Sequence, residues 1–496
     1  MGVKAFFSLP FAKLVVFRNN KWKKNPIEAQ EKTMFKLVSQ AKKTVFGKDH
    51  SFERIQNYTD FKNAVPIRDY EGLRHYVEKI IAGEKNVLWP GSPIYFCKTS
   101  GTTSGVKHIP VSKDSLPNHL NAARDAILSY ISETKKTNVV NGKMIFLQGS
   151  PELSKTGNIL TGRLSGIVAH HIPSYLQWNQ LPSFKTNCIE DWEKKIDKIV
   201  DETESKNMSL ISGIPPWVQM YFEKLKKKHR KPIKDLFPNF SLFIYGGVSY
   251  EPYRNTFRKL IGKNIDSIEV YPASEGFIAY QDSQKEEGML LCVDNGIFYE
   301  FIPAEDFFNP DRERLSLSKV SLGVNYVIIL NTNAGLWGYN IGDTVRFVST
   351  NPYRIIVSGR IKHFTSAFGE HVISEEVERS LKEALDRFPV EINEFHVAPE
   401  VNPDVGLPYH EWFIEFEKEP KNINDFKSFL NDRLQKQNTY YKDLLAGGVL
   451  RALEITVVSR GGFREYMRSI GKLGGQNKVP RLANDRKIAN SLKPFL

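Results

Sequence analysis

Helical and extended signals alternate along most of this chain, and that alternation narrows the possible folds more than any other feature. Apolar residues spaced by three and four predict helices over Pro26–Val45, Tyr70–Ala82, Ser115–Ser132, Asp191–Glu202 and Pro216–Lys228. Short runs rich in branched and aromatic residues predict strands at Met144–Leu147, Leu242–Tyr245, Ser267–Val270, Gly296–Ile302, Tyr326–Asn331 and Tyr353–Ser358. Helices that separate strands in this way cover the faces of a sheet, so the expected fold class is layered α/β. At 496 residues the chain exceeds what one core supports, and two domains are expected. The large one covers residues 1–357. The smaller, over 358–496, combines predicted helices Ser374–Phe388 and Ile423–Gln437 with strands Glu391–Ala398, Glu411–Glu417 and Arg451–Val458 into an α+β unit.

The chemistry first appears at Thr99-Ser100-Gly101-Thr102-Thr103-Ser104-Gly105-Val106-Lys107, which follows the extended apolar run Pro93–Cys97. Gly101 and Gly105 let the backbone bend close to an anion. Ser100, Thr102, Thr103 and Ser104 add side-chain donors, and Lys107 adds a positive charge, a combination suited to a polyphosphate. This is not the P-loop of ATPases and GTPases, because three residues separate the glycines and Val106 stands between Gly105 and Lys107. A polar turn leaving a strand would have a similar composition.

The net charge of +13 raises the question of nucleic acid. The densest cationic cluster, Lys224–Lys231, lies at the end of a predicted helix, where cations suit the dipole, and no zinc-finger spacing or aromatic RNA-binding signature accompanies it. Cys97, Cys188 and Cys292 are too far apart for a metal site of the CxxC type and odd in number, which favours a reducing, cytoplasmic setting. No apolar stretch is long enough for a membrane span. The run Ala5–Ala12 is interrupted by Lys13 and reads as part of an amphipathic first helix. Neither nucleic acid nor membrane is expected as a partner.

Four further segments stand at strand ends. Tyr245-Gly246-Gly247-Val248 is a glycine turn where a planar ligand could approach the backbone, and a plain strand-to-helix turn would look the same. The strand through Ile268 leads into Tyr271-Pro272-Ala273-Ser274-Glu275-Gly276, which offers a ring for stacking a base and a hard carboxylate for Mg2+. Tyr271 could equally be core, and Glu275 a helix cap. In Trp337-Gly338-Tyr339-Asn340-Ile341-Gly342-Asp343, the aspartate's two oxygens match a vicinal diol, although aspartate is also an ordinary turn residue. Gly359-Arg360-Ile361-Lys362, after the strand from Tyr353, has the glycine and long cations of a hinge.

Taken in order, these segments resemble the motifs of the adenylate-forming enzymes, the superfamily of acyl-CoA synthetases, luciferases and peptide-synthetase adenylation domains. The closer similarity is to the acyl-acid amido synthetases, the auxin-responsive promoter family of plants and its bacterial relatives. Their loop carries an extra residue, as does Thr99–Lys107 followed by His108-Ile109-Pro110-Val111. Phe364–His371 and Gly474–Arg481 resemble the bacterial branch, and the resemblance spans nearly the full chain.

The resemblance implies ATP-dependent adenylation of a small-molecule carboxylic acid, then transfer of the acyl group to an amine, such as an amino acid, with AMP and pyrophosphate released. Under it Ser100, Gly101, Thr102, Thr103, Ser104 and Lys107 cradle the triphosphate. Gly246, Gly247 and Tyr271 contact adenine, Ser274 assists the phosphates, Glu275 holds Mg2+, and Asp343 with Arg360 holds the ribose. Lys478, on the glycine-rich turn of a mobile C-terminal lid, stabilises the adenylation step, with a surface-loop cation as its alternative. Gly359 and Lys362 form the hinge, and His371 is a candidate base for the amine. Pro272-Ala273 and Asn340 depart from the commoner pattern and leave acyl specificity open. The acyl pocket is expected between the helix from Ser115 and the Ser212–Trp217 turn. A carboxylate–CoA ligase shares the first half-reaction and is the alternative; a non-catalytic basic nucleic-acid-binding protein is the reading from another class. A monomer or homodimer is expected.

Overall fold

The computed structural model describes residues 3–100, 106–172, 177–189, 191–247, 250–361, 364–365, 372–446, 449–474 and 477–496. Its spine is a twelve-stranded mixed sheet. One half is parallel: Gln180–Leu181, Lys143–Phe146, Met208–Ser212, Leu242–Gly246 and Asp266–Ala273 lie side by side. These strands are apolar on both faces because helices cover both. Trp192–Thr203, Pro215–His229 and Arg254–Ile261 pack on one side around Trp217, Phe222 and Phe243. Val3–Lys24 and Leu116–Thr134 contribute Ala12, Val15, Ala122 and Ala126 to the core on the other.

Beyond Asp266–Ala273 the sheet turns antiparallel through Gly276–Tyr280, Met289–Leu291, Tyr353–Arg360, Tyr339–Thr350, Asn325–Thr332 and Ile297–Pro303. Tyr353–Arg360 stays in this sheet through Arg360. A second sheet contains the antiparallel pair Tyr95–Ser100 and Val106–Val111. The C-terminal residues build a separate three-stranded sheet, Glu391–Glu400, Tyr409–Lys418 and Glu454–Val458, with helices Ser374–Arg387 and Ile423–Gln437 contributing to its core. This is the α/β fold with a smaller α+β C-terminal unit that the sequence predicts.

Boundaries moved where side chains overrode periodicity. The helix expected to reach Val45 ends at Ala41, because the Thr44 hydroxyl accepts the Gly47 N–H and caps a new helix, Val45–Asp49. The cationic run from Lys224 is part of Pro215–His229, and the neighbouring helix answers it: Lys224 pairs with Asp197, and Lys228 with Asp201 at 2.9 Å and Glu204 at 2.7 Å. Part of that cluster's charge, at Lys224 and Lys228, is therefore balanced within the fold. The first helix forms as expected, but it is not amphipathic in the expected sense. Its buried residues are Ala5, Ala12 and Val15, whereas its phenylalanines face outward.

Trp337 ties the N-terminal segment to the strand that carries the site. It is fully buried, stacks on Phe46 at 5.8 Å, meets Phe52 edge-on at 4.8 Å, and donates through Nε1 to the Leu88 carbonyl at 3.0 Å. Trp337→Phe removes that bond and leaves a small cavity, so a loss of about 2 kcal/mol is expected in denaturant unfolding. An unchanged midpoint would contradict this.

Candidate active site

The hydroxyl-rich segment is flanked by two antiparallel strands. Thr99 pairs with Lys107 and Ser100 with Val106. Gly101, Thr102, Thr103 and Ser104 lie outside the described residues, as does the side chain of Ser100, whose backbone ends the first strand. Lys107 begins the return, with Nζ 5.9 Å from the centre of the Tyr70 ring.

Ser274 and Glu275 form the two-residue turn between Asp266–Ala273 and Gly276–Tyr280, where Ala273 pairs with Gly276. Tyr271 therefore sits in a strand and not in a loop, and Glu275 caps no helix. Both turn residues are half-buried. Burial raises the Glu275 carboxyl above its ordinary range and the nearby Asp343 adds to this, while Lys107 and Arg360 pull the other way. Tyr339 faces the same carboxylate, and burial, with that negative neighbour, holds its phenol protonated. A carboxylate so poorly compensated is a natural partner for a cation. Among the described residues no three His, Cys, Asp or Glu side chains are grouped to hold a metal alone. The donor set fits a hard divalent ion shared between one carboxylate and phosphate oxygens.

Asp343 and Arg360 are opposite one another on adjacent strands. The Tyr271 hydroxyl donates to Asp343 Oδ2 at 2.5 Å, and Arg360 Nε donates to Oδ1 at 2.7 Å. Each carboxylate oxygen thus has one protein donor and keeps capacity for a second. Asn340 turns out to shape this site: its Oδ1 accepts the Gly342 N–H at 2.8 Å in the turn before Asp343.

The C-terminal unit closes on this group. Leu242–Gly246 ends at a carboxyl edge of the parallel sheet, where α/β folds place ligands. Gly246 pairs with Val270 so closely that a Cβ would collide with the Val270 carbonyl. Gly247 follows at φ 75°, and its carbonyl accepts from Lys478 Nζ. The Lys478 side chain is exposed, and its ammonium stands near Arg360, Arg481 and Asp343. Its pKa falls to about 8, first from desolvation and then from Arg360 and Arg481, with Asp343 opposing.

Two anchors hold Lys478, and sequence reasoning assigned neither. Arg481 is buried and pairs with Glu378 at 3.0 Å and Glu394 at 3.2 Å, and donates to the Tyr253 hydroxyl at 2.8 Å. Gly474, at φ 80°, lies flat on Trp192, so near that an added Cβ would stand 2.6 Å from the ring's Cγ. The glycine-rich spacing was visible, but the ring beneath it was nearly 300 positions away. Gly474→Ala is expected to cost about 1–3 kcal/mol of stability through backbone strain and collision with the Trp192 ring. An unchanged midpoint in denaturant unfolding of that variant would contradict the anchoring. A cleft of about 730 Å3 opens between the two units, lined by Trp192, Trp217, Glu223, Arg464 and Lys478, while Tyr271, Glu275, Asp343 and Arg360 lie outside it.

Of the expected site residues, Lys107, Gly247, Tyr271, Glu275, Asp343, Arg360 and Lys478 are linked by direct contacts or by electrostatic influence on one another. Ser274 and Gly246 adjoin them along the chain, and Gly359 lies one residue before Arg360. Lys362 and His371 lie outside the described residues. The helix Leu116–Thr134 and the Ser212–Trp217 turn exist as expected.

Comparison with known proteins gives a consistent picture. Residues 18–187 match the GH3 family N-terminal domain, 290–360 its central domain and 375–487 its C-terminal domain. The jasmonoyl–L-amino acid synthetases JAR6 and JAR4 of Nicotiana attenuata are 23% and 22% identical to the chain, covering 91% and 93% of it and 90% and 92% of their own lengths. Among solved structures, the AtGH3.15 acyl acid amido synthetase in complex with 2,4-DB superposes with a TM-score of 0.79 at 16% identity, over 98% of this chain and 96% of that one. A 2-hydroxyisobutyryl-CoA ligase in the postadenylation state reaches 0.62 at 12% identity, over 94% and 91%. These two likenesses establish a shared fold.

Proposed function

Because the chain belongs to the GH3 family, we propose that it is an acyl-acid amido synthetase that adenylates a carboxylic acid with ATP and passes the acyl group to an amine, an amino acid in this reading. The observation that carries the reading is the meeting of Lys478, from the C-terminal unit, with Gly247 beside the Asp343–Arg360 pair. In the first half-reaction a carboxylate oxygen of the acid bonds to the α-phosphorus while the bond to the pyrophosphate oxygen breaks. That step needs charge stabilisation and alignment more than a protein nucleophile. Lys107 and the donors of residues 100–104 receive the triphosphate, assisted by Ser274. Gly246, Gly247 and Tyr271 border the adenine, Asp343 with Arg360 takes the ribose, and Lys478 faces the reacting phosphate. Glu275 would hold Mg2+, which supplies charge neutralisation on the phosphates when bound.

In the second half-reaction the amine nitrogen bonds to the acyl carbon, AMP departs with the electron pair of the bond between the acyl carbon and its phosphate oxygen, and the amine releases a proton to solvent. Gly359–Lys362 serves as the hinge that withdraws Lys478 between steps, dividing the chain near residue 358. The three cysteines are unpaired, the state a reducing cytoplasm maintains.

The test is AMP release measured with acid, ATP and amino acid, with and without CoA. The proposal expects release and amide formation that depend on the amino acid and ignore CoA. Release that requires CoA and yields a thioester would assign the chain to the ligase alternative.

A further inference from the structure

The first helix, Val3–Lys24, carries a ridge of large apolar side chains that stays substantially exposed among the described residues. Phe6 and Phe7 are each 63% exposed, Phe11 44%, Leu14 45% and Phe17 76%. Phe7, Phe11 and Leu14 are spaced by four and three and therefore share one face. Ala5, Ala12 and Val15 are buried instead, Ala12 and Val15 in the core shared with the helix Leu116–Thr134. The small residues allow close packing and leave the large ones outside. The same helix bears Lys4, Lys13, Arg18, Lys21, Lys23 and Lys24 and no carboxylate. Lys23 reaches back to Asp282 at 2.9 Å, while Lys13, Arg18, Lys21 and Lys24 are exposed.

We propose that this face docks the enzyme on an anionic lipid surface. The helix lies parallel to the membrane, its aromatic ridge enters the boundary between headgroups and acyl chains, and its cations meet lipid phosphates. Among the described residues no helix is long and apolar enough to cross a membrane, so the contact is one of lying on the surface. Charge decides between lipid and a second copy of the chain as the occupant. Pairing two of these helices would oppose the exposed Lys13, Arg18, Lys21 and Lys24 with their own copies, whereas an anionic lipid surface is complementary to these cations. The proposal departs from the expectation of no membrane partner.

The test is co-sedimentation of the full chain with phosphatidylcholine vesicles and with phosphatidylcholine–phosphatidylserine vesicles, alongside light scattering. The wild type should bind the anionic vesicles at least tenfold more tightly than the neutral ones and release with added salt. Phe7→Ser/Phe11→Ser should lose at least tenfold of that binding while keeping wild-type ATP–pyrophosphate exchange, because neither residue belongs to the site. Lack of binding to anionic vesicles would overturn the proposal. So would a wild-type dimer that the double substitution converts to a monomer, which would make a second copy the occupant.

Discussion

Asp343→Ala is expected to lower kcat/KM for ATP by about 10²- to 10³-fold, chiefly through KM. The carboxylate accepts from the Tyr271 hydroxyl on one oxygen and from Arg360 on the other, and it is itself buried. Removing it leaves a guanidinium without its counter-charge and a buried phenol without its acceptor, and, in the proposed function, it removes the group assigned to the ribose. Losses of a charged hydrogen-bonding partner in such settings run to about 2–4 kcal/mol, or between one and three powers of ten in rate. Asp343→Asn keeps an acceptor and the side-chain shape, so it should recover part of the loss. ATP dependence measured by pyrophosphate exchange checks this, and an unchanged KM for ATP in the alanine variant would remove Asp343 from the nucleotide site.

Lys478→Ala should cost about 10²- to 10³-fold in adenylation, in line with removal of a preorganised charge from a developing anion. Acyl transfer from a chemically prepared acyl-adenylate should survive, because the proposed function assigns the lysine to the first step alone. Its pH behaviour follows from the lowered pKa of about 8. The ammonium is present below that value and lost above it, so adenylation in the free enzyme falls as pH rises through about 8, whereas an ordinary lysine holds its proton to about pH 10. Lys478→Arg keeps its charge throughout and should flatten that limb. An alkaline limb that is the same in both proteins would belong to some other group.

Much of the site was legible because its members lie within short segments whose order is itself the signal. Tyr271, Ser274 and Glu275 are neighbours on one hairpin, and Asp343 and Arg360 face each other because their strands are consecutive. What escaped were contacts whose partners are remote. Nothing around Gly474 announces Trp192, and nothing around Arg481 announces Tyr253, Glu378 and Glu394. Asn340, a departure from the commoner pattern in sequence, accepts the Gly342 N–H in the turn before Asp343, a contact that the residue type alone does not announce. The first helix was misjudged for a related reason. Periodicity reports that apolar residues share a face, but it does not say whether that face or the alanine face meets the core.

The central claim, that this chain makes acyl-adenylates, is tested most directly by ATP–[32P]pyrophosphate exchange with Mg2+ across a panel of aromatic and aliphatic carboxylic acids, comparing the wild type with Glu275→Ala. The account predicts exchange that depends on a particular acid and is lost in the variant. A wild-type protein that binds ATP yet supports no exchange with any acid of a broad panel would contradict it.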